Sequence, residues 1–112
     1  MESIRQQKIS RLIQKELGEI FQREMGHLRG HAMITVTKVN VTSDLSIARA
    51  YLSLFATPDK EALFSQIREN KREIRHLLAG RVRKQLRVVP ELEFYIDDSL
   101  DYIEHIEKLL KQ

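Results

Sequence analysis

The chain has 112 residues, 42% of them apolar and 31% charged, the proportions of one small globular domain spanning residues 1–112. It contains no cysteine, which excludes a disulfide framework, a thiolate nucleophile, an iron–sulfur cluster and a cysteine-based zinc site. No apolar run reaches the roughly 18 residues that a bilayer span needs, and residues 1–7 lack the apolar core of a signal peptide, so a soluble cytoplasmic protein is expected.

Apolar residues at Ile9, Leu12, Ile13, Leu17, Ile20 and Phe21 recur at intervals of three and four, which predicts an amphipathic helix over the first 25 residues. Ser3 followed by Gln6 fits a capping box at its start, and Gly26 is the expected left-handed stop. Gly26 to His31 then reads as a loop. The β-branched run Met33-Ile34-Thr35-Val36-Thr37-Lys38-Val39-Asn40-Val41-Thr42 follows as a strand. Its alternation changes phase, because Ile34 and Val36 share one face while Val39 and Val41 fall on the other. One extra residue near Thr37 or Lys38, a β-bulge, would restore them to one side.

Ser43-Asp44-Leu45-Ser46 has turn chemistry, and Ala48, Ala50, Leu52 and Leu54 alternate with Ile47, Arg49, Tyr51 and Ser53 in a second strand that should pair antiparallel with the first. Thr57-Pro58-Asp59 reads as a helix start, with Thr57 as the cap and Pro58 in the first position. Helical spacing runs through Leu63, Phe64 and Ile67, then resumes out of register at Ile74, Leu77, Leu78, Val82 and Leu86, which places a break at Asn70. Pro90 forbids continuation of that helix, Leu92, Phe94 and Ile96 alternate as a third strand, and Ser99 caps a last helix carrying Tyr102, Ile103, Ile106, Leu109 and Leu110. The order α-β-β-α-α-β-α predicts an α+β domain whose three-stranded sheet has helices on one face.

The net charge of +3 is unevenly spread. Residues 68–87 hold eight cations, Arg68, Lys71, Arg72, Arg75, Arg81, Arg83, Lys84 and Arg87, against Glu69 and Glu73, whereas residues 88–112 hold seven carboxylates against Lys108 and Lys111. So concentrated a basic segment suggests an anionic partner. On a helix, Arg72, His76, Arg83 and Arg87 would fall on one stripe opposite the apolar residues, and the gap between His76 and Arg83 is filled by the small Ala79 and Gly80. Glycine in mid-helix costs on the order of 1 kcal/mol relative to alanine, so close passage of an RNA backbone over Gly80 is one reason for its presence. A solvated basic face, with Gly80 merely tolerated or packed against the sheet, is the other. A second set, Arg5, Lys8, Arg11 and Lys15, is interleaved with Glu16 and Glu19 and reads as a solvated helix face.

The strings Ile34-Thr35-Val36-Thr37-Lys38-Val39-Asn40-Val41-Thr42-Ser43-Asp44-Leu45, Ala48-Arg49-Ala50-Tyr51 and Arg87-Val88-Val89-Pro90-Glu91-Leu92-Glu93-Phe94-Tyr95-Ile96-Asp97-Asp98-Ser99 resemble the ribosome-binding factor A family, and the likeness runs in the family's order over nearly the whole chain. The resemblance implies a KH-like fold of type II topology, α-β-β-α-kink-α-β, with a C-terminal helix. It also implies binding to the immature or free 30S subunit and to 16S rRNA, maturation of that rRNA, a role in growth in the cold, and ribosomal proteins as further partners. The chain departs from the family's usual pattern at the kink, Asn70-Lys71-Arg72 in place of an Ala-Ser-Gly-like stretch, and in the loop before the first strand, which lacks Asp-Pro-Arg.

The expected RNA-binding residues are Lys71, Arg72, Arg75, His76, Gly80, Arg83, Lys84 and Arg87. No G-x-x-G loop is present, so reading of four unpaired bases in the usual KH manner is not expected. Aromatic stacking on bases has little support, because the seven aromatics mostly occupy core-facing positions and only Tyr51 and Tyr95 fall on the outward strand parity where a base could stack. His27 and His31 lack a third ligand nearby, and Asp97, Asp98 and Asp101 fit helix capping at Ser99 better than catalysis. No phosphate-binding or nucleophile motif is present, so the expectation is a monomeric, non-enzymatic assembly factor without cofactor, metal or membrane. The competing reading is a protein-interaction module whose basic helix docks on an acidic protein.

Overall fold

The computed structural model describes residues 2–97, so the predicted C-terminal helix, with Asp98, Ser99 and Asp101, lies outside the described residues. In chain order the elements are α1 (Ile4–Arg23), α2 (Gly26–Arg29), β1 (Met33–Val41), β2 (Ile47–Phe55), α3 (Lys60–Glu69), α4 (Lys71–Val82) and β3 (Glu91–Ile96).

Helix α1 begins with the predicted capping box: Gln6 N–H donates to Ser3 Oγ at 3.1 Å, and Ser3 N–H donates to Gln6 Oε1 at 2.8 Å. The amide of Gln6 also donates to Val41 O at 2.9 Å, which pins the start of α1 to the end of β1. Ile9, Ile13, Leu17, Ile20 and Phe21 are buried along one side of the helix. Gly26 is not the left-handed stop. Glu24 ends the helix in right-handed geometry, Gly26 opens the one-turn α2, and the positive φ falls at Gly30 (56°), whose N–H closes that turn on Gly26 O. An added helical turn lets the segment satisfy its own backbone groups, which an open loop packed beside the buried Met25 could not do.

The sheet order is β1-β2-β3, with β1 antiparallel and β3 parallel to the central β2. Its register shifts between Val36 and Lys38, where the phase slip requires a bulge. Because of that extra residue, Ile34, Val36, Val39 and Val41 all join Ala48, Ala50, Leu52, Leu54, Leu92 and Phe94 in the core beneath the helices. At the bulge the Gln14 amide of α1 donates to the carbonyls of Val36 and Thr37 at 3.1 and 3.3 Å. Phe21 meets Phe94 edge to face at 6.2 Å between ring centres, closing the core between α1 and β3. Ile96, expected inward, is 38% exposed, because β3 ends there and no further strand or helix turn among the described residues covers it.

The start of α3 and the end of α4 differ from their predicted limits. The cap of α3 is Asp59, whose carboxylate accepts from Ala62 N–H at 3.1 Å, while Thr57 accepts from Asp59 N–H one step upstream. A carboxylate satisfies orphan amides and complements the helix dipole together, which a hydroxyl does not. Asn70 breaks the helices as expected: its N–H reaches Gln66 O and Ile67 O, its side chain donates to Gln66 O at 2.8 Å, and its own carbonyl accepts the first bond of α4 from Ile74. Helix α4 stops at Val82. Gln85 and Leu86 both donate to Val82 O in the turn that follows, which keeps Leu86 against the core and so prolongs the apolar periodicity past the helix itself.

The β1–β2 turn holds Leu45 at φ 62°, a conformation that costs a non-glycine residue about 1–2 kcal/mol. Asp44 offsets it by accepting from the Ser46 and Thr42 hydroxyls, both at 2.7 Å, and from Ser46 N–H. These bonds, the Ser46 hydroxyl first and then Thr42, hold the Asp44 carboxyl at about 2, below its usual 3.8. The stabilisation is therefore complete above the ordinary carboxylate range and is lost as the pH falls from about 4 towards about 2. Thermal melts should show Asp44→Asn melting below the wild type at pH 7, with the gap narrowing at pH 2.5.

Candidate nucleic-acid interface

Helix α4 turns Ile74, Leu78 and Val82 into the core and lies against α1. Its rotation about its own axis is fixed by Arg81, whose guanidinium donates to Glu19 at 2.7 Å, Glu16 at 3.0 Å and Glu24 at 3.2 Å. All three carboxylates belong to α1 or its C-cap, so the interleaved acids that seemed only to dilute the α1 cations are the dock for α4. The bond that Arg81 donates to Glu16, then those to Glu24 and Glu19, raise the Arg81 pKa further, so this cation does not switch off.

Arg75 is also engaged within the protein, on another side of α4. Its Nη2 donates to Val89 O at 2.8 Å and its Nε to Pro90 O at 3.2 Å, with Glu91 at 3.5 Å. Pro90 cannot carry the helix on, and Arg75 collects the carbonyls that the broken chain leaves, aligning β3 beside β2.

With Arg75 and Arg81 turned to internal partners, the outward side of α4 is defined. Arg72, His76 and Gly80 are exposed along it and Arg83, also exposed, is its C-cap. From Arg72 to Arg83 this row spans about 16 Å at the rise of an α-helix. Lys71 stands exposed at the kink, and Lys84 in the turn beyond Arg83. Among the described residues, Lys71, Arg72, Arg83, Lys84 and Arg87 have no ion-pair partner. Arg68, on α3, lies 5.9 Å over the Phe64 ring.

Arg87 is not on the helix face, since α4 ends five residues before it. It lines a cleft of about 370 Å³ with Arg5 from α1, floored by Ile9, Leu45, Leu86 and Pro90. The end of the basic segment thus meets the start of the other cationic set, a juxtaposition that neither helical wheel could show. A Cβ added at Gly80 would meet nothing within 4 Å. Gly80 is therefore not packed on the protein's own core, and the surface over it is open.

On the opposite side of the sheet, Tyr51 and Tyr95 are register partners and stack at 5.3 Å between ring centres with 25° between planes. Tyr95 donates to Glu93 Oε1 at 2.9 Å, and Arg49 Nε donates to the same oxygen at 3.3 Å. These bonds, Tyr95 first and Arg49 second, lower the Glu93 pKa, and Glu93 in turn raises that of the Tyr95 hydroxyl. Among the described residues no three His, Asp or Glu side chains converge as a metal site, and no helix is long and apolar enough to cross a membrane.

An α1 brace, a bulged hairpin, two helices kinked at one residue and a parallel third strand make this an α+β, KH-like fold with a basic helix turned outward. Residues 5–110 match the family model described as ribosome-binding factor A. A protein of that name from Cytophaga hutchinsonii is 45% identical over 112 residues, covering 100% of this chain and 84% of its own. The crystal structure of ribosome-binding factor A from Thermus thermophilus superposes with a TM-score of 0.67 at 23% identity, covering 81% of this chain and 94% of that one. A homology model of the Thermus thermophilus factor, fitted into a cryo-EM map of a 30S complex, gives a TM-score of 0.61 at 26% identity over 78% of this chain and 89% of that one. The chain belongs to the ribosome-binding factor A family.

Two substitutions separate the dock from the outward row. Arg81→Met strands three carboxylates and should lower the unfolding free energy by on the order of 2 kcal/mol. Gly80→Ala, with open space for its methyl, should raise it by about 0.5–1 kcal/mol. Urea unfolding of both variants checks the two signs.

Proposed function

We propose that the protein is a small-subunit assembly factor, a cytoplasmic monomer that binds the free 30S subunit through 16S rRNA and assists maturation of that rRNA. The observation that carries this reading is the row of exposed cations without ion-pair partners, Lys71, Arg72, Arg83 and Lys84 with His76 among them, along α4 and the turn after it, where the other two cations, Arg75 and Arg81, are held by internal partners. Family membership supports it, and so does a related factor described in a 30S complex.

Such a row makes phosphate contacts that position the protein without reading bases. The kink supports the same conclusion, because Asn70 closes the helix junction with its own hydrogen bonds where a G-x-x-G loop would offer bare amides. Recognition then rests on shape. Arg72 and Arg83 grip one stretch of backbone, the open surface at Gly80 lets it approach, and Lys71, Lys84 and Arg87 extend the contact at either end. Arg75 serves by holding the lead-in to β3 so that α4 keeps its attitude. Occupancy is the whole mechanism: while bound, the protein holds rRNA segments in an arrangement that processing requires.

On sucrose gradients the protein should travel with free small subunits and not with translating ribosomes. With about five phosphate contacts, affinity should fall on the order of a hundred- to a thousandfold between about 50 and 200 mM salt. A flat response, or tighter binding to polyglutamate than to rRNA, would favour docking on an acidic protein.

Arg72→Glu combined with Arg83→Glu should abolish subunit binding with little change in melting temperature, because exposed charges contribute little to stability. Gly80→Leu should weaken binding while leaving the fold intact. Undiminished binding by either variant would remove α4 from the interface.

A further inference from the structure

The stacked tyrosines are unexplained by packing alone. The core lies on the other side of the sheet, yet Tyr95 is 40% exposed and is held in place there by its bond to Glu93 and its stack on Tyr51. A ring fixed in orientation with one face toward solvent has already lost the freedom that binding would otherwise take from it. Cations stand near it on β1, on β2 and at the helix kink. Lys38 is the register partner of Tyr51 on β1, and Arg49 stands two residues along β2 and shares Glu93 with Tyr95. Beyond the edge of β3, a cleft of about 600 Å³ runs from Tyr95 past Phe94 to Lys71 and Arg68 at the helix kink, with Glu69 and Glu93 as its acidic members. An aromatic face among positive charges is the arrangement that single strands of nucleic acid use, with bases stacked and phosphates neutralised.

We propose that Tyr95, backed by Tyr51, is a stacking platform for one unpaired base of single-stranded RNA, whose flanking phosphates lie toward Lys38 and Arg49 on one side and Lys71 on the other. This deepens the proposed function and rests on its RNA-binding reading. It adds a second surface, on the side of the sheet opposite α1, where contact depends on an exposed base and not on backbone shape. A base-paired strand keeps its bases stacked on one another, so the platform distinguishes unpaired from paired RNA while reading little sequence.

The chain has three tyrosines and no tryptophan, so its intrinsic emission reports the platform directly once Tyr102 is replaced by Phe. A ten-nucleotide single-stranded RNA of mixed sequence should quench that emission, and the same strand annealed to its complement should not. Tyr95→Leu, which keeps apolar bulk, should lose about tenfold in affinity for the single strand with the salt slope unchanged. Tyr95→Phe, which keeps the ring and loses the hydroxyl, should bind nearly as the wild type does. Wild-type affinity in a folded Tyr95→Leu variant, or equal quenching by the duplex, would overturn the platform. If the single strand quenches but 30S subunits are not bound, the subunit reading falls and the platform stands. If 30S binding needs Arg72 and Arg83 but is indifferent to Tyr95→Leu, the reverse holds.

Discussion

One arginine orients the basic face of α4. Arg81 reaches from α4 into three carboxylates of α1 and its cap, and that contact decides which side of α4 faces the core and which faces outward. Hydrophobic burial alone is permissive about roll, since Leu77 is half-buried beside the fully buried Ile74 and Leu78. Charge pairing is not permissive: turning the helix by one residue would leave three anions stranded around a missing partner. The three acids on α1 therefore determine where Arg72 and Arg83 point.

The same division of labour recurs at each discontinuity in the chain. The β1 bulge brings four aliphatic residues to one side, and Gln14 donates to two carbonyls there. Pro90 stops the chain from running on as helix, and Arg75 takes up the carbonyls around it. A polar side chain from a neighbouring helix meets backbone groups at each irregularity, so the domain tolerates its bulge and its break without burying unsatisfied backbone there.

Much of this was legible in the sequence. The phase slip between Val36 and Val39 located the bulge, because only an extra residue reconciles the two halves of β1 with one core. Ser3 and Gln6 announced the start of α1, and Asn70 the kink. What escaped was long-range. That Arg75 and Arg81 face inward cannot be seen from charge density, since their partners lie 14 or more residues away at Val89 and on α1. Arg87 fell on the wrong side of a helix end that Leu86 concealed by continuing the apolar rhythm. Gly26 looked like a stop because the signal for a left-handed residue is glycine itself, and a second glycine at position 30 took that role. Of the expected binding residues, Arg72, His76, Gly80 and Arg83 stand together because exposed helical positions follow from periodicity alone.

The parallel pairing of β3 sets the order in which the molecule can come together. Val41 and Ala48 face each other across seven residues of chain, whereas Ile47 and Glu91 are separated by forty-four. The hairpin can close on local contacts, but the third strand must wait for both intervening helices to fold back across the sheet, and that long closure is the entropically expensive step. During synthesis the central strand keeps one bare edge until residues 91–96 have emerged, after the acids of α1 and the cations of α4 have been made. A protein of this topology therefore completes its sheet last, with the strand that carries Tyr95.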